Sequence, residues 1–379
     1  MKKALSDIMK IAFLYIAEAY QCYHGASIAS VLSHYPDVEI VIYYNDPACL
    51  PHLKSLEHGA DTKKIQYKRL RRSPFITIAQ SIKKAGLLKP HIMKYNAEEL
   101  NQYDAIVAVE YTAAWLRDIG VTHPKLILNP HGFGDRKNPT DALMPNFDLV
   151  LVAGQRMADD FLKRGLIRPD AHAVTGYVKY DMCEGWHDRN KSLFPNRNPI
   201  VIYNPHYETG FNSMPRFLET MLENFRKQND LNLIVAPHIK MYRRSYGLAP
   251  KLLERKSGPN ILIDTRSKKL LDMTYTTAAD IYVGDLSSQV YEFLMRPRPC
   301  VFLNTAQVEW RDNPFFQHWK LGDVVDDPKD LMAAIRAAPS RHYLYRDLQK
   351  EMAERTLGHM ETGASRRCAT AIMDFLSRK

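Results

Sequence analysis

The sequence alternates along its whole length between short apolar runs rich in β-branched residues and stretches with helical periodicity. This alternation predicts parallel β-sheets whose strands are joined by crossover helices. The apolar runs are continuous, which indicates strands that helices cover on both faces. The predicted strands are IAFLYI, VEIVIYYN, AIVAVE, KLILNP and LVLVAG in the first half, and NPIVIYNP, LNLIVAPH, NILIDT, ADIYVGD and PCVFLN in the second.

A chain of 379 residues is longer than one hydrophobic core ordinarily supports, so the sequence predicts two domains. The polar stretch 187–199 contains two prolines and shows no helix or strand period, as a linker should. We therefore predict an α/β protein of the GT-B type, with two Rossmann-type domains whose parallel sheets face a central cleft. The predicted domains are 1–190 and 191–379, and the last helix is expected to cross back to the N-terminal domain.

The stretch YVGDLSSQVYEFL, residues 282–294, predicts the end of a strand, a polar turn and the start of a helix. Ser287 and Ser288 then stand at a helix N-terminus, where unpaired N–H groups and the positive dipole end favour a phosphate. Gly284 is expected to let the ligand approach the backbone. Simple helix capping by Asp285, Ser287 or Ser288 is the alternative. A cap requires only one such residue, and this turn has three candidates. We therefore interpret it as a phosphate-binding turn.

A histidine follows a predicted strand in the first half of the chain. His131 stands between Pro130 and Gly132 after the strand KLIL. The ordinary pKa of histidine lies near neutrality, which suits a general base. Arg136 and Lys137 follow closely and provide cations for an anion. A turn histidine that only bonds the backbone is the alternative.

The second half repeats this arrangement. His238 follows a predicted strand and Pro237, with Lys240 close behind. Loops at the carboxyl ends of strands meet in the ligand-binding crevice. Two histidines in equivalent positions are therefore stronger evidence for a functional site than one histidine. His206 and Glu208, after the first strand of this half, are further candidates to line the cleft, although a polar loop explains them equally well.

The formal net charge of +10 is unevenly distributed. Residues 63–94 contain ten Lys or Arg and no acidic residue, a pattern that attracts phosphates or an anionic membrane surface. A solvated basic face is the alternative. No zinc-finger spacing, RNP-type aromatic motif or heptad-linked basic region accompanies the block, so a nucleic-acid partner is not expected.

Several other classes of protein are not expected. No uninterrupted apolar run reaches the roughly 18 residues of a spanning helix, and no cleavage site indicates a signal peptide. We therefore expect a cytoplasmic protein, with peripheral contact at the inner membrane face as a further expectation. The five scattered cysteines predict neither a disulfide framework nor a zinc site. No metal-ligand cluster, nucleotide phosphate loop or nucleophile elbow is present in the sequence.

These motifs together resemble the CDP-glycerol glycerophosphotransferase family, the teichoic-acid primases and polymerases. ADIYVGDLSSQVYEFLMRPRPCVFLN resembles the aspartate and double-serine signature of that family. NPHGFGDRK is similar to its His-Gly motif, and VAPHIK is similar to its second histidine motif, in which proline more often follows the histidine. TGYVKYD resembles its Gly-x-Pro-Arg-x-Asp turn, with Val178 and Lys179 replacing the proline and arginine. The resemblance covers roughly residues 105–370.

The resemblance implies transfer of a glycerol phosphate, or a related alditol phosphate, from a CDP-activated donor to a hydroxyl of a glycan or lipid-linked acceptor. It implies that His131 is the base, and that His238 binds the transferred phosphate. It also implies that Ser287 and Ser288 hold the donor pyrophosphate and that Gly284 and Asp285 belong to the same donor-binding turn. Glu292 is expected to accept ribose hydroxyls. No cofactor beyond the nucleotide-activated donor is expected.

Three alternatives stay open at the level of sequence. A GT-B glycosyltransferase that uses a nucleotide sugar has the same predicted fold. A UDP-sugar 2-epimerase-like enzyme also pairs histidines with a serine-bearing phosphate turn. A polyanion-binding protein that has kept the fold without the chemistry is the non-enzymatic alternative.

Overall fold

The structure is a computed structural model, and it describes residues 8–56, 61–74, 76, 88–132, 139–184, 193–242 and 247–378. These residues form two compact units. The first contains the described residues up to 182 together with 356–378, and the second contains those from 183 to 355. Arg136, Lys137, most of the predicted helix at 76–88 and the first part of the predicted linker lie outside the described residues.

A parallel sheet forms the centre of the first unit. Its described strands are β1 Met9–Tyr15, β2 Val38–Tyr44, β3 Ile65–Arg69, β4 Ala105–Ala108, β5 Lys125–Leu128, β6 Leu149–Val152 and β7 His172–Val174. They lie in the order β3-β2-β1-β4-β5-β6-β7. Strands β4 and β6 are buried along their whole length, because helices cover both faces of the sheet.

The second unit contains another parallel sheet. Its described strands are β8 Ile200–Asn204, β9 Asn232–Val235, β10 Ile261–Ile263, β11 Ile281–Gly284, β12 Cys300–Leu303 and β13 Asp323–Val325. They lie in the order β10-β9-β8-β11-β12-β13. The middle strands β9, β11 and β12 are completely buried, which matches their continuous apolar sequences.

Short helices connect the strands. The described α-helices are α1 Ala26–Leu32, α2 Cys49–Ser55, α3 Lys89–Tyr95, α4 Ala97–Leu100, α5 Trp115–Asp118, α6 Gln155–Lys163, α7 Val178–Glu184, α8 Met214–Arg226, α9 Leu248–Glu254, α10 Thr274–Ala278, α11 Gln289–Phe293, α12 Leu331–Arg341, α13 Arg346–Leu357 and α14 Ala364–Ser377. The described 3-10 helices are Ala19–His24, Thr62–Lys64, Tyr111–Ala114, Pro139–Asn146, Lys268–Leu270, Pro314–Leu321, Pro328–Asp330 and His342–Leu344.

The ten strands predicted from apolar runs are all present, whereas β3, β7 and β13 were not predicted. Strand β3 lies at one edge of its sheet inside the basic block, and most of its side chains are exposed. Strand β7 is three residues long and only half-buried. Edge strands of this kind need no continuous apolar run, so a search for such runs misses them.

The last helix belongs to the first unit. At the start of α14, Asp181 accepts hydrogen bonds from the backbone N–H groups of Gly363 at 2.8 Å and Ser365 at 2.6 Å. Arg367 donates through Nε to the carbonyl of Thr175 at 2.7 Å. The TGYVKYD turn therefore receives the C-terminal helix and has an architectural role.

Among the described residues, no helix combines the length and apolar character needed to cross a membrane.

Candidate functional site

Each sheet reverses its strand order at one place, between β1 and β4 in the first unit and between β8 and β11 in the second. In open parallel sheets, ligands bind beyond the carboxyl ends of the strands beside such a reversal. His24 and Glu110 follow β1 and β4, while His206 and Asp285 follow β8 and β11. Each unit therefore carries a candidate cluster where its topology favours a ligand.

The first cluster consists of His131 and the side chains around it, Tyr20, His24, Glu110 and Tyr111. The ring centroid of His131 lies 5.8 Å from that of Tyr20, 6.2 Å from that of His24 and 6.4 Å from that of Tyr111. The His131 side chain is 21% exposed, so it is shielded but still open to solvent. The loops after β1, β4 and β5 together build this cluster.

Hydrogen bonding determines which nitrogen of His131 carries the proton. Its Nδ1 lies 2.7 Å from the carbonyl oxygen of Val109. A carbonyl oxygen only accepts, so Nδ1 must be the protonated nitrogen. In the neutral ring Nε2 then carries the lone pair, which is the form that a general base requires.

Glu110 lies behind His131, with Oε2 at 3.9 Å from Nδ1. Its Oε2 accepts a hydrogen bond from Nε2 of Gln21 at 2.5 Å, and its Oε1 accepts one from Nζ of Lys89 at 2.8 Å. Burial alone would raise the pKa of Glu110, but His131, Lys89 and Gln21 outweigh burial and lower this pKa. Glu110 is therefore a carboxylate at neutral pH.

His24 is a second, fully enclosed histidine in the first cluster. Burial, followed by the nearby Lys179 and His131, lowers the pKa of His24 well below its ordinary value. Lys179 is itself buried, with 5% of its surface exposed. His24 is therefore neutral at physiological pH and contributes no charge beside His131.

The second cluster consists of His206, Tyr207, His238 and Lys240. The ring centroids of His206 and His238 are 5.3 Å apart, and Tyr207 lies 4.4 Å from the first and 4.8 Å from the second. Nζ of Lys240 lies 5.4 Å from the centroid of Tyr207. The loops after β8 and β9 thus bring together three residues named from the sequence, His206, His238 and Lys240.

Both histidines of the second cluster have the opposite tautomer to His131. Nδ1 of His206 accepts from the backbone N–H of Glu208 at 3.3 Å, and Nδ1 of His238 accepts from that of Lys240 at 3.2 Å. A nitrogen that accepts carries no proton, so the proton of each neutral ring is on Nε2. Each ring therefore presents an Nε2–H donor.

Asp285 has a different position from the one expected of a nucleotide ligand. It is 2% exposed. Its Oδ1 accepts from the backbone N–H of His206 at 2.8 Å and of Leu286 at 2.7 Å, and its Oδ2 accepts from the backbone N–H of Ser213 at 2.9 Å and from its hydroxyl at 2.8 Å. His318 and Trp319 lie within hydrogen-bond distance of its carbonyl oxygen. Its carboxylate therefore holds the turn against the loop that carries His206, and contact of Asp285 with the donor stays a prediction.

The reason for glycine at position 284 is also different from the prediction. A Cβ atom at Gly284 would lie 2.6 Å from the hydroxyl oxygen and 2.7 Å from a ring carbon of Tyr282. Glycine is therefore required to accommodate the Tyr282 ring, which is buried. The prediction that it clears space for a ligand is not needed to explain this residue.

The remaining residues of the turn differ in exposure. Ser287 is 2% exposed, whereas Ser288 is exposed and directly precedes α11. The helix begins at Gln289, and Oγ of Ser287 accepts from the backbone N–H of that residue at 3.4 Å. Glu292 is 6% exposed and Gly132 is exposed. Contact of these residues with a donor stays a prediction.

The basic block is less open than its sequence indicates. Its cations Lys64, Lys68, Arg71, Arg72 and Lys89 contact carbonyl, amide or carboxylate oxygens of the first unit. Of the eight cations of the block that the structure describes, five therefore bind the protein itself. Within the part of the chain that the structure describes, no three His, Cys, Asp or Glu residues are grouped to hold a metal ion.

A family model matches more than half of the chain. It spans residues 148–374 and is described as CDP-Glycerol:Poly(glycerophosphate) glycerophosphotransferase. The chain belongs to this family. This membership confirms the predicted class of enzyme, a glycerophosphotransferase.

Solved structures share the fold of this glycerophosphotransferase. MnaA of S. aureus, solved with UDP, has a TM-score of 0.67 and 14% sequence identity, and the match covers 97% of each chain. The wall teichoic acid polymerase TagF, solved with CDPG, has a TM-score of 0.61 and 12% identity over 97% of this chain and 88% of that one. These matches confirm the predicted α/β fold of the GT-B type. A search of curated proteins gave no match.

The sequence did not single out every residue of the glycerophosphotransferase clusters. It named His131, His206, His238 and Lys240, but not the residues that surround His131 in the first unit: Tyr20, Gln21, His24, Lys89 and Glu110. These residues come from loops far apart in the sequence. The available signal was Glu110 itself, the carboxylate at the end of the predicted strand AIVAVE.

Proposed function

We propose that this glycerophosphotransferase transfers glycerol phosphate from CDP-glycerol to a hydroxyl of a glycan or lipid-linked acceptor. The observation that carries the proposal is the difference in tautomer between His131, which offers a lone pair on Nε2, and His238, which offers an N–H. A phosphoryl transfer to a hydroxyl needs both functions, one to take the proton and one to stabilise charge.

The first unit supplies the base in this proposal. Nε2 of His131 takes the proton of the acceptor hydroxyl as its oxygen attacks the phosphorus that bears the glycerol. The new P–O bond forms while the bond to the bridging pyrophosphate oxygen breaks, and CMP leaves with that oxygen. Since phosphoryl transfer depends chiefly on positioning and charge stabilisation, no covalent bond to the protein is required.

The second unit supplies the donors. The Nε2–H groups of His206 and His238 are assigned to the phosphate oxygens, where negative charge develops as CMP departs. Lys240 places its ammonium group beside the ring of Tyr207, which contacts both histidines. Ser287 and Ser288 are assigned to the pyrophosphate and Glu292 to the ribose. Asp285 supports the turn from behind, as its hydrogen bonds indicate.

The family match favours this reaction over the alternatives. Structural likeness to MnaA at 14% identity shows the fold alone and does not indicate a reaction. The family description names glycerophosphate transfer, whereas a glycosyltransferase that uses a nucleotide sugar would move the sugar and leave both phosphates on the nucleotide. The UDP in the MnaA structure and the CDPG in the TagF structure support a nucleotide-activated donor.

The remaining partners belong to the same proposal. The reaction needs no resident metal or cofactor beyond the donor. Exposed cations of the block 63–94, such as Arg69 and Lys94, are assigned to an anionic membrane surface that would carry a lipid-linked acceptor. This contact is peripheral, since it involves exposed side chains only.

A panel of donors tests the proposal. The full-length protein is incubated with a glycerol-phosphate-terminated acceptor and with CDP-glycerol, CDP-ribitol or UDP-N-acetylglucosamine, and the released nucleotide is identified by chromatography. We expect CMP from CDP-glycerol, together with an acceptor lengthened by one or more glycerol phosphate units. Release of UDP alone, or turnover of no CDP-alditol, would overturn the proposal.

A further inference from the structure

We propose that Glu110 is the positioning residue for His131, and that Lys89 sets how strongly Glu110 acts on it. This inference rests on the proposed function, in which His131 is the base. Glu110 does not itself reach the reacting atoms, because it lies on the Nδ1 side of the ring. Its effect on the reaction passes through the imidazole.

The geometry supports this role. His131 Nδ1–H donates to the Val109 carbonyl, and Glu110, the next residue in the chain, places Oε2 3.9 Å from the same nitrogen. One short segment after β4 therefore fixes the ring orientation and also supplies the negative charge. When Nε2 takes a proton, the ring becomes a cation, and a carboxylate at this distance stabilises it.

Glu110 is held in place by donors from other elements. Gln21, on the 3-10 helix after β1, donates to Oε2, and Lys89, at the start of α3, donates to Oε1. The side chain of Glu110 is 13% exposed and that of Lys89 is 18% exposed, so solvent screens the pair only partly. Lys89 neutralises part of the negative charge that His131 would otherwise experience.

Other polar and titratable groups lie around His131 and Glu110. They are Tyr20 and His24 from the helix after β1, Tyr111 and Thr112 from the helix after β4, Lys179 beside His24, and Asp141 and Arg164 near Tyr111. His24 stays neutral because its pKa is lowered, and the pKa of Tyr111 is raised by burial. Within the described residues, Glu110 is therefore the carboxylate at ion-pair distance from Nδ1, and Lys89 is its own ion-pair partner.

Two substitutions are expected to change the pH dependence in opposite directions. Glu110→Gln removes the stabilising charge, so His131 gives up its proton at lower pH and the acid limb of kcat/KM shifts down by about one pH unit. The imidazolium in the transition state is also less stable, so kcat falls by about 10- to 100-fold. Lys89→Met leaves Glu110 to act on His131 alone, so the acid limb shifts to higher pH.

Glu99→Gln is the matched control. Glu99 belongs to the same unit and also accepts from a lysine, Lys68 at 3.0 Å, and from a neutral donor, Tyr43 at 2.5 Å. Its pKa is lowered as well, because Tyr43 and Lys68 outweigh the effect of burial. Since it does not contact the first cluster in any hydrogen bond or ion pair described, its substitution should leave the acid limb where it is in the wild type.

The measurement is the pH profile of CMP release from CDP-glycerol, with thermal unfolding of each full-length variant recorded in parallel. Acid limbs that move in opposite directions for Glu110→Gln and Lys89→Met support the inference. Unchanged limbs in both folded variants, or shifts in the same direction, overturn it. The variant His131→Gln distinguishes failure of the proposed function from failure of this inference. Full activity of His131→Gln refutes the assignment of His131 as the base. If His131→Gln is inactive but the acid limb of Glu110→Gln is unshifted, only the role of Glu110 is refuted. If Glu110→Gln unfolds, Lys89→Met alone decides, and an unshifted limb overturns the inference.

Discussion

Backbone groups assign the proton positions of three of the four cluster histidines. His131 is bonded through Nδ1 to a carbonyl, while His206 and His238 receive backbone N–H groups on theirs. The backbone thereby favours a lone pair on Nε2 of His131 and an N–H on Nε2 of His206 and His238. The backbone atom that a histidine meets thus determines which ring nitrogen carries the proton in the neutral form.

Asp285 illustrates a residue whose sequence signal and structural role differ. Both of its carboxylate oxygens accept from donors, and burial raises its pKa despite these hydrogen bonds. The residue is thus the fixed centre of the turn that carries Ser287. We expect the stability of the turn to depend on both accepting oxygens of the Asp285 carboxylate, so that a side chain of the same shape cannot replace it.

The substitution Asp285→Asn tests this dependence. The substitution replaces one accepting oxygen with an amide NH2 group, which cannot accept from the N–H or O–H donor that it faces. We therefore expect the free energy of unfolding to fall by about 2–3 kcal/mol. Urea unfolding at neutral pH measures the loss. Asp280→Asn is the control, because Asp280 is exposed and accepts from the backbone N–H of Ile200, and it should cost less than about 1 kcal/mol. Equal stability of Asp285→Asn and the wild type would refute this role.

Among the elements, α14 connects the end of the chain to the first unit. Its first N–H groups point at Asp181, and Oγ of Ser365 lies 2.7 Å from Oγ of Ser27 in α1. Gly176, with a φ of 94°, turns the chain beside Arg367. A left-handed backbone of this kind favours glycine, so this turn and the helix are specified together.

The substitution Asp181→Ala is expected to weaken the attachment of α14. It removes the acceptor of two N–H groups at a helix start, which costs about 1–2 kcal/mol. Urea unfolding with a probe in α14 would detect the change. Asp347→Ala is the control, since the Asp347 side chain is 91% exposed, and its substitution should stay within about 0.5 kcal/mol of the wild type. Identical unfolding of the two variants would contradict the attachment role.

The sequence predicted those elements whose signals are local. The strands β9, β11 and β12 were visible because strands covered on both faces are continuously apolar. The edge strand β3 was hidden, since its residues alternate and carry charges. His131 and His238 were found because each follows such a strand.

The surroundings of those histidines were not predictable in the same way. Gln21, Lys89 and Glu110 meet only through the order of the strands, which the sequence pattern does not specify. The serine-rich turn was identified, but the roles of two of its residues depend on tertiary contacts. Gly284 packs against Tyr282, and Asp285 accepts a hydrogen bond from Ser213. Contacts of this kind come from tertiary packing, so the spacing of residues along the sequence does not predict them.

The chain as a whole shares its fold with more than one solved protein. It matches both MnaA and TagF over 97% of its length, at 14% and 12% identity. A fold common to such proteins does not specify a reaction, so the chemistry must be argued from the clusters and from the family match. In this chain the family match indicates glycerophosphate transfer.

The most direct test compares the rates of His131→Gln and His238→Gln with CDP-glycerol. A glutamine amide can donate a hydrogen bond near the position of Nε2 but cannot take a proton at neutral pH. We therefore expect His131→Gln to lose about 10²- to 10⁴-fold in kcat, and His238→Gln to stay within about tenfold of the wild type, whereas His238→Ala loses about 10²- to 10³-fold. CDP-glycerol binding by each variant shows that the fold is intact. A His131→Gln variant that binds the donor and retains the wild-type kcat would contradict the assignment of His131 as the base.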